Sequence, residues 1–130
     1  MPSREDRFWA AVAHFGSVAV NVFSAYTIGW LVGLAVWLTH KNDKFAAFHG
    51  AQVFFFHLIN AVLLWILIGL TTFLASTVIG LPLAVVTGLA ALYIGLRGFI
   101  APVLVGRKAS MGEWTGLPFG DKIGKRVSGG

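Results

Sequence analysis

The chain has 130 residues, 57% of them hydrophobic and 12% charged, with ten Lys and Arg against five Asp and Glu and a formal net charge of +5. A soluble globular domain carries roughly 25% charged residues, so this composition excludes one and leaves room for a single compact membrane unit. Cysteine is absent, which excludes disulfides, thiolate metal sites, c-type haem attachment and a lipidated Cys anchor.

Residues 1–7 place two Arg before an apolar block, in the order of a signal peptide, but residues 8–40 run for 33 positions without Asp, Glu, Lys or Arg. An h-region has about 7 to 15 residues, so the segment is expected to stay uncleaved. A second charge-free run, residues 45–96, covers 52 positions. As one helix it would be roughly 78 Å long against a hydrocarbon core of about 30 Å, so it must turn and return as a helical hairpin.

The basic residues are Arg4, Arg7, Lys41, Lys44, Arg97, Arg107, Lys108, Lys122, Lys125 and Arg126. A single crossing by residues 8–40 would put the positive head and the positive 41–44 loop on opposite faces, against the positive-inside rule. Two crossings, with a turn near residues 21–29, gather head, loop and tail on the cytoplasmic face. The expected fold is an all-α integral membrane protein, a four-helix bundle made of two helical hairpins. Its membrane domain, residues 1–105, holds helices at about 5–22, 27–40, 45–75 and 81–103. Helices 1 and 2 are short, since half of the 33-residue block gives about 25 Å or less. Trp9 and Trp37 fall at the inner boundary, and Tyr26, Trp30 and Trp65 at the outer one, where interfacial aromatics collect.

The second hairpin turns around residues 76–81, where Gly80 permits unusual dihedrals and Pro82 suits the first turn of a helix. Gly98 and Pro102 predict a kink or an end near Ala101, because Pro102 lacks a backbone donor and biases its predecessor away from helical geometry. Residues 106–130 form a basic cytoplasmic tail, partly interfacial and too broken by Gly106, Gly112, Gly116, Pro118 and Gly120 for another helix. Met111, Trp114, Leu117 and Phe119 are expected to hold it against the inner surface.

His49, Gln52, His57 and Asn60 project within an arc of about 140° on helix 3. His14, Ser17, Asn21 and Ser24 recur at spacings of three, four and three on helix 1. Two polar stripes should face each other. They either hydrogen-bond across the bundle and fix register, or line a path for a solute, or offer two imidazoles to a haem or metal. No cofactor or metal is assigned, because the spans hold no carboxylate and neither HxxxH nor ExxH spacing occurs. Arg97 is the sole charge inside a span, at a cost of about 2.5 to 3.5 kcal/mol on insertion scales. It is expected to snorkel to the inner headgroups, with contact to the polar stripe or to an anionic lipid as the alternative. Ala84, Gly88, Ala91, Gly95 and Gly98 form a small-residue seam suited to close helix packing. Asp43, Glu113 and Asp121 are isolated acids in polar segments, and no phosphate-binding loop or nucleophile elbow occurs, so no catalytic residue is assigned.

Several segments resemble a bacterial family of small membrane proteins related to the twenty-kilodalton component of the chloroplast inner-envelope protein translocon. They are Phe8-Trp9-Ala10-Ala11-Val12-Ala13-His14, Trp37-Leu38 before Lys41, Phe48-His49-Gly50-Ala51-Gln52, Gly112-Glu113-Trp114 and Leu117-Pro118. The resemblance implies four helices and little chemistry. The expected function is a non-enzymatic accessory or scaffolding subunit of a larger membrane complex in the bacterial inner membrane, with both termini cytoplasmic. A translocation element with a polar path between helices 1 and 3, and a haem- or quinone-binding subunit, are the alternatives. Expected partners are other membrane subunits and anionic headgroups at the cytoplasmic face. Nucleic acid is not expected, because the basic residues flank apolar segments and build no nucleic-acid module.

Overall fold

The computed structural model of the chain describes residues 1–118 and 120–128. Among these are five helices and no strand: α1 (Arg4–Phe23), α2 (Trp30–Thr39), α3 (Lys44–Ala75), α4 (Leu81–Ser110) and α5 (Gly120–Ser128). Local chemistry sets the starts. Ser3 and Asp6 exchange backbone and side-chain hydrogen bonds at the head of α1 in a capping box. The Asp43 carboxylate accepts from the Phe45 and Ala46 amides at 3.0 and 3.3 Å and opens α3. Pro82 lies in the first turn of α4.

Two helices are long and apolar enough to cross a membrane, α3 with 32 residues and α4 with 30. Of the four expected crossings, only those by α3 and α4 are supported by length and composition among the described residues. The ten residues of α2 span only about 15 Å, because the turn takes up residues 24–29 and shortens the helix from its N-terminal side. The α1–α2 hairpin instead rises beside the first half of α3 and returns, which brings Asp6 and Asp43 together at one end of the molecule.

The packed core occupies only that end. Phe45, Phe48, Val53 and Phe56 of α3 are buried with Ala10, Ala13, Val36, Val105, Ala109 and Leu117. Beyond Ala61 the pattern inverts: Val62, Ile66, Phe73, Val85, Val86 and Leu89 are all more than half exposed. The far part of the α3–α4 hairpin is thus a bare apolar prong, about 21 to 24 Å long at 1.5 Å per residue.

Where α2 meets α3, close backbone approach adds to the packing of Trp30 and Trp37 on Phe54 and Phe55. A Cβ on Gly33 would lie 2.5 Å from the Phe54 amide nitrogen, and one on Gly50 would lie 2.6 Å from that of Trp37. Neither glycine stands out by periodicity alone.

Two boundaries differ from expectation. α4 continues through the buried Pro102 to Ser110, because packing against α1 holds the last turns in place despite the missing donor. The tail contains a helix after all. In α5, Gly120 and Gly124 lie against Phe48 and Gln52 of α3, so a contact made only in the folded chain stabilises a glycine-rich segment that would not be helical alone. Trp114 packs on Phe45 and Phe48 at 4.9 and 5.3 Å between ring centroids, and Leu117 is buried, whereas Met111 is half exposed. Phe119 lies outside the described residues.

Asp6 and Asp43 share a small cavity with Met1, Pro2, Lys44, Phe45 and Trp114. Partial burial, and then the neighbouring Asp6, push the Asp43 carboxyl above its ordinary value, while hydrogen bonds from Ser3 lower that of Asp6. A raised carboxyl pKa means stability that is present below the ordinary value of 3.8 and lost as pH rises through the higher folded value. Asp43→Asn keeps a capping side chain and removes the charge. Thermal melts should show the variant more stable than the parent at pH 7, by at most about 1 kcal/mol at so exposed a site, with the difference closing below pH 4. A constant difference across that range would remove Asp43 as the source.

Candidate functional site

The stripes do meet. His14, Ser17 and Asn21 of α1 and His49, Gln52, His57 and Asn60 of α3 are each at most 1% exposed. They fall into two clusters along the α1–α3 contact.

In the cluster nearer the charged end, the His49 Nδ1 atom lies 2.9 Å from His14 Nε2 and 2.7 Å from the Gln52 amide nitrogen. An amide nitrogen only donates, so Nδ1 is the acceptor and His49 carries its proton on Nε2, which points at the Glu113 carbonyl 3.3 Å away. His14 then donates through Nε2. Gln52 also donates to the Thr115 carbonyl at 3.3 Å, and its side-chain oxygen accepts from the Leu117 amide at 2.8 Å. The residues after α4 are therefore stitched across the mouth of the cluster.

In the deeper cluster, His57 Nδ1 accepts from the Asn21 amide at 3.0 Å and from the Tyr26 hydroxyl at 2.8 Å. Asn60 donates to the Tyr26 oxygen at 2.9 Å and to the Ile94 carbonyl at 3.0 Å. Arg97 donates to the Asn60 oxygen at 2.6 Å. Direction is uniform along this chain: Arg97 donates to Asn60, Asn60 to Tyr26, and Tyr26 to His57. Ser17, between the clusters, donates to the Ala13 carbonyl of its own helix at 2.5 Å.

Tyr26 is the residue that sequence reasoning misplaced. It sits in a turn where Ala25 and Tyr26 both adopt positive φ, 53° and 61°, a conformation that L-residues pay for sterically. That backbone swings the ring inward, to 2% exposure, and the Asn21 side chain fixes the turn by accepting from the Gly29 amide at 2.9 Å. No periodic signal marks a turn residue as internal. Tyr26→Phe is expected to cost about 1 kcal/mol, read as a lower midpoint of unfolding in mixed detergent; an unchanged midpoint would detach the hydroxyl from the network.

Arg97 does not behave as a snorkelling cation. Besides Asn60, its guanidinium faces the Phe56 and Tyr93 rings at 5.7 and 5.8 Å from the centroids. The short side of α4 explains its reach. Gly98 lets the Tyr26 hydroxyl and the Asn60 amide press against the helix backbone, which draws the neighbouring Arg97 toward α3. Within the seam, Ala84, Ala91 and Gly98 are buried. Gly88 and Gly95 face Thr71 and Leu64 at ordinary contact distance, and Thr71 donates to Thr87 at 2.8 Å.

Chemically, the site bonds mostly to itself, with His14 Nδ1 and His57 Nε2 the two ring nitrogens left buried without a partner among the described residues. A metal between two imidazoles needs about 2.0 Å to each nitrogen, and the 2.9 Å between His14 Nε2 and His49 Nδ1 leaves no such gap. Among the described residues no group of three or more His, Asp or Glu is placed to hold a metal ion.

No curated protein and no solved structure matches the chain. A family model does match, over residues 5–122, and it corrects the resemblance to the chloroplast translocon component. The segments that carried that resemblance are those that build the packed end: Phe48-His49-Gly50-Ala51-Gln52 is the α3 face on which Glu113, Trp114 and Leu117 close. Motifs set by packing do not identify a translocon, and the matched model spans nearly the whole chain: this protein belongs to the MamF/MmsF family, the magnetosome magnetite crystal formation protein family.

Proposed function

We propose that the protein serves magnetite crystal formation as a small, non-enzymatic accessory or scaffolding subunit of the magnetosome membrane. In this reading α3 and α4 cross the bilayer, α1 and α2 sink partway into it, and both termini stay on the cytoplasmic side. The observation that carries it is the state of the polar stripe. Each of the seven polar side chains is at most 1% exposed and bonded to another stripe residue, to Tyr26 or to the backbone, and among them only His14 Nδ1 and His57 Nε2 lack a partner among the described residues. Such bonds fix helix register in lipid at about 0.6 kcal/mol each or somewhat more. The surface left for interaction is the apolar prong, which suits lipid and other membrane subunits, and the cationic end, which suits anionic headgroups.

Three measurements test the proposal. Deletion in a magnetite-forming host should change crystal size or number, and the tagged chain should co-purify with other membrane subunits in mild detergent. In proteoliposomes the purified chain should carry no iron or proton flux above empty vesicles. A flux that His57→Leu with Asn60→Leu abolishes would replace scaffolding by transport.

A further inference from the structure

A second feature lies outside the polar stripe, where the start of α1 meets the end of α4. Arg4, Arg7, Phe8, Ala11 and Ser110 line an open cavity of about 340 Å³. Arg4 and Arg7 are one helical turn apart and so address one space. Arg107 and Lys108 belong to the adjoining last turn of α4, and no carboxylate lines the cavity. The apolar lining is Phe8 and Ala11, and Phe15, four residues beyond Ala11 on α1 and outside the cavity, continues the apolar surface, with Phe8 59% and Phe15 41% exposed. The cavity is roughly ten times the ≈ 30 Å³ that one water occupies in the liquid, and lies at the small end of the usual range for ligand pockets.

We infer that this cavity binds the phosphate of an anionic phospholipid, with Arg4 and Arg7 on the phosphate oxygens and an acyl chain laid along Phe8, Ala11 and Phe15. The inference rests on the membrane reading above. Guanidinium groups present paired N–H donors that match phosphate oxygens. The arrangement of cations above and aromatic side chains below also follows the polarity of a lipid entering from headgroup to chain. Free phosphate would use the two arginines but not the apolar lining.

The full chain, purified in detergent, is offered phosphatidylglycerol and examined by native mass spectrometry through graded washing. One phosphatidylglycerol per chain should survive on the parent. Arg4→Gln with Arg7→Gln should lose about tenfold or more in occupancy. Ala11→Trp, which fills the cavity without altering charge, should do the same. Lys41→Gln with Lys122→Gln, an equal loss of charge elsewhere, should retain the lipid. Equal loss in both charge pairs would make the binding diffuse electrostatics and overturn the site. Displacement by millimolar inorganic phosphate, with Ala11→Trp unaffected, would assign the arginines to free phosphate and overturn the lipid. A chain that needs detergent but retains no lipid sinks this site alone, whereas one that is monodisperse without detergent sinks the membrane reading as well.

Discussion

Gly98→Val should be among the most damaging single substitutions in this chain, lowering stability by about 3 kcal/mol or more. Its first added carbon would collide with the Tyr26 hydroxyl and stand 2.6 Å from the Asn60 amide nitrogen. Neither neighbour can give way cheaply. Tyr26 is held by a turn with two consecutive positive φ values, and Asn60 is bonded on three sides, to Tyr26, Ile94 and Arg97. Overpacking alone costs about 1 to 3 kcal/mol, and each displaced membrane hydrogen bond adds about 0.6. The same substitution at Gly95, three residues earlier, meets only Leu64 at 3.8 Å and should cost less than about 1 kcal/mol. Unfolding midpoints of the two variants in mixed detergent check this; equal midpoints would mean that the α4 seam tolerates bulk along its length and that Tyr26 is not pinned.

Asn60→Leu should have the next largest effect, about 3 kcal/mol, for an electrostatic reason. It removes the acceptor that Arg97 reaches at 2.6 Å together with the donor to Tyr26 and the Ile94 carbonyl, and a hydrogen bond to a charged group alone contributes about 1.5 to 3 kcal/mol. Arg97→Leu alone takes away the charge as well as the bond, and should cost nearer 1 kcal/mol. The combination of Asn60→Leu with Arg97→Leu should then be more stable than Asn60→Leu by itself. A double-mutant cycle measures this directly. Additive losses would show that the pair is not coupled and that Arg97 draws its support elsewhere.

The long elements were legible because they follow from solvent. A charge-free run of 52 residues, interrupted by Gly80 and Pro82, states a hairpin before any contact is known, and the turn falls where those residues stand. The facing of the two polar stripes was also readable, since helical spacing alone puts His14 and Asn21 on one side of α1 and His49, Gln52, His57 and Asn60 on one side of α3. What periodicity could not reveal lies in non-helical backbone and in contacts between distant segments. The inward turn of Tyr26 depends on two left-handed residues that are not glycine. The helix at Gly120–Ser128 depends on a docking surface offered by Phe48 and Gln52. The passage of α4 through Pro102 depends on packing that outweighs a local preference. The closure of the 113–117 segment over Gln52 and His49 uses backbone groups, which every residue possesses and no motif marks.

Because the chain has no cysteine, single introduced thiols report on its placement without background. Ser3→Cys and Asn42→Cys lie at the charged end, and Thr77→Cys lies in the turn at the tip of the apolar prong. With a membrane-impermeant thiol reagent applied to sealed vesicles of one orientation, the first two should react together, and Thr77→Cys should react only from the opposite side. Labelling of all three from the same side, in vesicles shown to be intact, would contradict a bilayer-crossing α3–α4 hairpin and the account built on it.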